Sequence, residues 1–384
     1  MRKKKLLFIL SSYSHGGTNK CLQNMLSLLN EDNYEYFILT INEDDIYKDI
    51  FSKYNIINCP KRVIYYTTTK SFAIRVLRYL DRILLNSYIL KLLINNFIHQ
   101  LEHIHQFDKV IAFEEGNHLR VIASAFKTNK ISWIHCDYKS YIKMFKPNLY
   151  AEYKLFSSFD KIICVSKTTK ESFLDTFPSL DQKTDYIYNV LNCEEIIHNA
   201  NVEILDKKYS NENFTIVSIG RLHYIKQYDK IPMIVSSLLK KDLNLKFKWY
   251  IIGDGDPNER NKISNEIEKY QLQDKVICLG AKNNPYPYIK KANLLAVTSQ
   301  SEAYPCVINE AKTLGIPTLS SNFDSVYEII DEKTGIIATL EKFPDILHKL
   351  LIDEGKIYSN LKNKIISYKF ENKESLNKLK ILFN

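Results

Sequence analysis

The chain alternates short, almost wholly apolar runs with longer stretches in which apolar residues return at helical spacing. In its first half the runs are "KLLFILS", "YEYFILTI", "DKVIAF", "KISWIHC" and "DKIICVS". In its second half "FTIVSIG", "FKWYIIG", "DKVICLG", "NLLAVTS" and "GIPTLSS" repeat the arrangement. A strand with one face in water alternates apolar and polar residues, whereas a strand apolar throughout has both faces covered. Runs this short, each followed by an amphipathic helical pattern, predict parallel sheets covered by helices on both sides.

The polar stretch 192–214, "NCEEIIHNANVEILDKKYSNENF", parts the two series and reads as a linker. The expected architecture is α/β, with two Rossmann-like domains whose parallel sheets face a central cleft. The first spans 1–198 and the second 199–369, with a C-terminal helix, 370–384, as a candidate to pack back onto the first. A length of 384 residues gives each domain enough chain for its own core. Ligands of open parallel sheets lie beyond the carboxyl ends of the strands, so the default site is the cleft.

Composition removes several classes. The seven cysteines (21, 59, 136, 164, 193, 278, 306) are scattered, odd in number and form no C-x-x-C pair. They give neither a disulfide framework nor a zinc site, and they fit a reducing cytoplasm. The opening "MRKKKLLFILSSYSHGG" has basic and then apolar residues but no small-residue cleavage site, so it reads as a first strand and not as a signal peptide. No charge-free apolar run is long enough to span a bilayer.

Three motifs carry candidate chemistry. In "SSYSHGGTNK", Gly16 and Gly17 follow the first strand and open a helix, a place where backbone N–H groups can meet an anion. The dinucleotide fingerprint G-x-G-x-x-G is missing, although the acidic "NEDD" at 42–45 could imitate a ribose-binding acid. In "SIGRLHYIKQYDKIP", Gly220 ends a strand, and Arg221 and Lys226 fall on the connection to the next helix. Two cations there suit a diphosphate, Arg through paired donors and Lys as a point charge. In "SQSEAYPCVINEAKTLGIP", Glu302 lies on the loop and Glu310 about one turn into the helix, with the backbone of Pro305 to Val307 between them. Either carboxylate can accept hydrogen bonds from neighbouring sugar hydroxyls. Asp254-x-Asp256 resembles a D-x-D metal motif, but its setting, "IIGDGD", reads better as a glycine-rich turn after a parallel strand.

Taken in order, "GRLHYIKQ", "WYIIGDGD", "VICLGAKNN" and "SQSEAYPCVINEAKTLGIPTLSS" resemble the retaining glycosyltransferases of family 4, which have the GT-B fold. The resemblance reaches the first half through "SHGGTNK", "WIHCDY", "CVSK" and "IYNVLN". It implies that Arg221 and Lys226 bind the nucleotide diphosphate and that Glu310 holds the ribose. Glu302 and the backbone of Tyr304, Pro305, Cys306 and Val307 would meet the donor sugar. Gly16 and Gly17 would lie near the phosphates and acceptor, His135 would approach the donor sugar, and Lys282 and Asn283 would meet the base. The chain departs from the family at Gln227, where most members carry Gly, and at Ala303-Tyr304, where Gly-Phe is usual.

The implied reaction moves a hexose or N-acetylhexosamine from a nucleoside diphosphate donor, UDP-linked in the family's habit, to a glycan or lipid-linked glycan acceptor. No metal is expected, because Arg221 and Lys226 supply the charge. A nucleotide-sugar epimerase of the same fold is the alternative, with a dinucleotide-dependent oxidoreductase behind it.

Charge adds one feature. The formal net charge is +9, and residues 51–100 hold eight Lys/Arg against one acid, Asp81. Within 70–97, helical spacing places Phe72, Val76, Tyr79, Leu80, Ile83 and Ser87 on one face and Arg75, Arg78 and Arg82 on another. Three readings stay open for this block: a core-covering helix with a solvated rim, contact with an anionic membrane surface, or pairing with a partner helix. The membrane reading, favoured on the family's use of lipid-linked acceptors, would place the chain in the cytoplasm at the inner face of the membrane. The pattern lacks the basic and aromatic interleaving of a nucleic-acid binder.

Overall fold

The computed structural model describes residues 2–11, 16–29, 32–41, 51–69, 71–84 and 88–384, without the side chains of 68, 82, 83 and 117. The acidic stretch 42–45 and Ser87 lie outside the described residues. The chain divides into two compact units, Met1–Val190 with Asn372–Asn384, and Leu191–Glu371. The division at Val190 falls ahead of the boundary expected at 198. The reason is local: residues 193–199 form a helix whose Ile196 packs into the second unit's core, so the chain changes unit before that helix.

In the first unit the strands are β1 (Lys4–Leu10), β2 (Tyr34–Thr40), β3 (Asn55–Asn58), β4 (Lys109–Ala112), β5 (Lys130–Ile134), β6 (Lys161–Cys164) and β7 (Thr184–Tyr186). They pair in the order β3-β2-β1-β4-β5-β6-β7, and every pairing is parallel. The second unit has β8 (Phe214–Ile219), β9 (Phe247–Ile252), β10 (Val276–Gly280), β11 (Leu294–Val297), β12 (Thr318–Ser320) and β13 (Gly335–Ile337). Their order is β10-β9-β8-β11-β12-β13, again parallel throughout.

The continuity of the apolar runs follows from two-sided burial. Along β9, Trp249 and Ile251 enter one core cluster while Tyr250 and Ile252 enter the cluster on the opposite face. The buried indole N–H is satisfied: Trp249 Nε1 donates to Ser218 Oγ at 3.0 Å, and Ser218 donates to the Ala296 carbonyl at 2.7 Å. The C-terminal helix Lys373–Phe383 belongs to the first unit. Its Phe383 is fully buried and meets Phe8 and Tyr34 edge-on, with ring centroids 6.1 and 6.2 Å away.

The basic block differs from the single helix expected over 70–97. It forms two helices, Phe72–Leu84 and Tyr88–His105. Asp81, the lone acid, explains the break. It is buried, and it accepts hydrogen bonds from the Tyr66 hydroxyl at 2.7 Å and from the Ile89 N–H at 2.9 Å. That carboxylate therefore caps the start of the second helix, where unpaired N–H groups and the helix dipole favour an anion. At the other polarity, Arg78 donates to the carbonyls of Thr67 and Thr69, at the end of the helix Lys61–Thr68. Core covering falls to the second helix, through Leu90, Ile94, Ile98 and Leu101. On the first helix, Phe72, Val76, Tyr79 and Leu80 of the expected face are exposed.

Candidate functional site

In the second unit, the connections leaving β8 and β9 are pressed backbone against backbone. Gly253 follows β9 at φ +154°, and a Cβ there would lie 1.9 Å from the Gly220 carbonyl oxygen. Gly220 follows β8 at φ +156°, where a Cβ would lie 2.8 Å from the Tyr228 hydroxyl. Only glycine fits such positions. One step on, the Leu222 N–H donates to the Asp254 carbonyl at 3.0 Å, and Leu222 bridges to Gly255. Arg221 stands exposed on this tight connection. Lys226 closes the short turn Tyr224–Lys226, and its Cε would sit 3.5 Å from a Cβ on Gly220. The lysine stem thus lies over the glycine, in room that a side chain would take.

The loop after β11 is tied to the same turn. The Thr298 hydroxyl donates to the Lys226 carbonyl at 2.6 Å, and the Gln300 N–H donates to the Ile225 carbonyl at 2.7 Å. These bonds bring Glu302 to Lys226, and the two form an ion pair. Glu302 also accepts from the Ser299 hydroxyl at 2.6 Å, while its backbone carbonyl accepts from Ser325 Oγ at 2.8 Å. The side chains of Lys226 and Glu302 are 23% and 14% exposed, so solvent screens this pair less than a surface pair. Nearby Tyr228 is buried, and burial and the Glu302 charge hold its phenol above the ordinary range.

The helix Cys306–Thr313 follows Pro305, which supplies no side-chain cap. Its first N–H groups are those a helix cannot pair internally, and an anion or sugar oxygen suits them. Cys306 and Val307 are half-buried at that start. Glu310, one turn in, is buried and accepts from the Tyr286 hydroxyl at 3.4 Å. Burial, and then Glu310, push the Tyr286 phenol up, keeping it a donor. Tyr304 is half-buried, and its phenol too is raised by burial.

On the loop after β10, Asn283 is exposed, and Lys282 Nζ lies 2.7 Å from Asp206 Oδ2. Hydrogen bonding by Lys282 draws the Asp206 carboxyl below its usual range, and the lysine pins residue 206. Of the D-x-D pair, Asp256 caps the helix Pro257–Lys269 by accepting from the Asn258 N–H at 2.8 Å, and Asp254 pairs with Arg260. Both carboxylates thus have structural work. Among the described residues no group of three or more His, Cys, Asp or Glu gathers around a point.

In the first unit, Gly16 is the N-cap of the helix Gly17–Leu28, and both glycines are exposed. A Cβ on either would meet no atom of the described residues within 4 Å. His135 follows β5, and its backbone N–H donates to Glu115. Its ring rests 4.7 Å from that of Phe113, and Nε2 is buried without a partner among the described residues. Burial pushes its pKa down to about 4 against a smaller upward pull from Glu115, so the imidazole is neutral at pH 7. Glu114, beside it, accepts from the Ser11 N–H at 2.8 Å.

Within the second unit the structure therefore brings Lys226 and Glu302 together and ties Glu310 to Tyr286. His135 lies just beyond the carboxyl end of β5, and Gly16 and Gly17 open the helix that follows β1 in the chain. Glu115, Ser299 and Tyr286 were missed in the sequence. Glu115 and Ser299 carried the one available signal, a polar residue at or just beyond the carboxyl end of an apolar run.

The two parallel sheets, doubly covered, are the GT-B architecture. The structure superposes on crystalline HepE of Anabaena in complex with UDP and glucose at a TM-score of 0.75, with 16% identity and 99% of each chain covered. The family described as "Glycosyl transferases group 1" matches residues 202–370. An uncharacterised glycosyltransferase of Methanocaldococcus jannaschii is 29% identical over 204 residues, 51% of this chain and 48% of that one. The N-acetylgalactosamine-N,N'-diacetylbacillosaminyl-diphospho-undecaprenol 4-alpha-N-acetylgalactosaminyltransferase of Campylobacter jejuni is 25% identical over 253 residues, 65% of each chain. The chain spans less than two thirds of the length of either relative. Residues 202–370 thus match a glycosyltransferase group 1 family, and the chain as a whole has the fold of GT-B glycosyltransferases.

The departure at Gln227 has a visible cost. Its backbone is left-handed, φ 52° and ψ 35°, a conformation that disfavours side chains with a Cβ. Gln227→Gly should therefore raise stability by about 0.5–1 kcal/mol, the gain in the folded turn exceeding glycine's larger entropy in the unfolded chain. Thermal unfolding followed by circular dichroism should show an increase of about 1–3 °C; a decrease of that size would contradict it.

Proposed function

We propose that this chain is a retaining glycosyltransferase of family 4. It moves a hexose or N-acetylhexosamine from a UDP-linked donor to a hydroxyl of a glycan or lipid-linked glycan during surface-polysaccharide synthesis. The observation that carries the proposal is the contact of Lys226 with Glu302. A cation suited to a diphosphate and a carboxylate suited to sugar hydroxyls stand side by side, as they must if one donor touches both. HepE in complex with UDP and glucose and the undecaprenol-diphosphate substrate in the Campylobacter relative's name support the donor and acceptor classes.

In this reading Arg221 and Lys226 hold the diphosphate, Glu310 accepts from the ribose hydroxyls, and Glu302 and the 304–307 backbone meet the sugar. By the same resemblance, Gly16 and Gly17 are assigned to the phosphates and acceptor, His135 to the donor sugar, and Lys282 and Asn283 to the base. The anomeric carbon–oxygen bond breaks through an oxocarbenium-like state while the acceptor oxygen bonds to the same face. The acceptor's proton passes to the departing phosphate. Negative charge growing on that phosphate is met by fixed cations and helix-start N–H groups, which need no reorganisation. Two side-chain cations supply the charge a metal would bring.

The exposed helix Phe72–Leu84 supports a second proposal, contact with an anionic membrane at the cytoplasmic face. Phe72 is 80% exposed and Leu84 70%, with Tyr79 and Leu80 between them and exposed Arg75 alongside. Apolar side chains entering the headgroup region beside cations suit anionic lipid. No described helix is long and apolar enough to cross a membrane.

Two measurements test these readings. Across a panel of UDP- and GDP-sugars, hydrolysis or transfer should be seen with a UDP-sugar, in EDTA as well as without it. Lys226→Ala should lower kcat by roughly a hundredfold or more with the unfolding midpoint unchanged; near-normal turnover would refute the assignment. The protein should sediment with phosphatidylglycerol vesicles but not phosphatidylcholine vesicles. Phe72→Ser/Leu84→Ser should weaken that partition by about tenfold or more; equal binding to both lipids would refute the surface.

A further inference from the structure

The Lys226–Glu302 pair poses a conflict that the two separate roles do not resolve. Lys226 cannot give its charge fully to a phosphate while it holds Glu302. Glu302 is the fixed partner: Ser299 anchors its carboxylate, Ser325 anchors its carbonyl, and Ala303 beside it is buried. The lysine backbone is pinned by Thr298, but its stem crosses Gly220, which has no side chain to hold it in place. An arriving diphosphate, more highly charged than a carboxylate, takes the ammonium group. Glu302 is then left half-buried and without its counter-charge, next to further negative charge, which is costly. Only donors restore the balance, and the hydroxyls of a sugar joined to that diphosphate are such donors.

We infer that Glu302 acts as a discriminator, holding Lys226 in the empty site so that a nucleoside diphosphate binds well only when a sugar is attached. The inference rests on the donor reading above and adds to it a reason for product release. Once the sugar has left, the bare nucleoside diphosphate competes with Glu302 for Lys226 and departs. Substrate and product are thereby separated by a carboxylate that touches the sugar and restrains the phosphate cation. Glu302 is thus a specificity-determining residue as well as a sugar ligand.

Calorimetric titration with UDP and GDP tests this on the full chain. The variants are Glu302→Gln, Lys226→Met and the two combined. Gln keeps an acceptor for Ser299 and close to the same shape, so the loop is preserved, and unfolding midpoints check that it is. The inference predicts that Glu302→Gln binds free UDP at least about fivefold more tightly than the wild type. In the Lys226→Met background the same change should alter UDP affinity less than about twofold, because the contested cation is gone. Equal tightening in both backgrounds would mean simple repulsion between carboxylate and phosphate, and would overturn the inference. UDP binding to the wild type with no tightening in Glu302→Gln would overturn it while leaving the donor reading intact. Failure of both UDP and GDP to bind any form would bring down the donor reading itself.

Discussion

One constraint shapes the second unit, the closeness with which the connections after β8 and β9 meet. A Cβ on Gly253 would come within 1.9 Å of the Gly220 carbonyl oxygen, a distance no side chain survives. Two glycines at positive φ permit that approach, and the bridge from Leu222 to Gly255 continues it. The chain leaving β8 is thereby held down and turned so that Lys226 returns over Gly220. Hydrogen bonds from Thr298 and Gln300 then draw in the loop after β11, and Glu302 with it. The local chemistry is thus built by backbone packing, with charge added at its surface.

The strands at the centre of each sheet were legible because two-sided burial leaves a continuous apolar signature. β1, β2, β4, β5 and β6, and then β8 to β12, each correspond to a run visible in the sequence. β3, β7 and β13 were not, and each is an edge strand of only three or four residues. An edge has one neighbour and partial solvent contact, so "NIIN", "TDY" and "GII" need no apolar continuity. The break between the helices Phe72–Leu84 and Tyr88–His105 was hidden for another reason. It depends on Asp81 capping a helix later in the chain, a tertiary contact that helical periodicity cannot express.

The candidate site was legible in kind but not in geometry. Residue type and position after an apolar run singled out Arg221, Lys226, Glu302 and Glu310. That Lys226 and Glu302 bond each other was invisible, because 76 residues separate them and Thr298 and Gln300 close the gap. Lys282 shows the opposite outcome: a plausible ligand contact in sequence, it pairs with Asp206 from the linker. Gln227 shows a third: the family resemblance marks a position where glycine is usual, and the left-handed backbone there shows why.

In the proposed reading, side-chain cations, a buried carboxylate and a helix start do the work that a metal cage would otherwise do. The central claim is that the Gly220–Lys226 turn is where a nucleoside diphosphate rests. A crystal structure of the chain with UDP tests it most directly. The account predicts the diphosphate lying against this turn, with Lys226 Nζ and the Arg221 guanidinium in hydrogen-bonding contact with its oxygens. UDP bound elsewhere, or with both cations turned away from the phosphates, would contradict it.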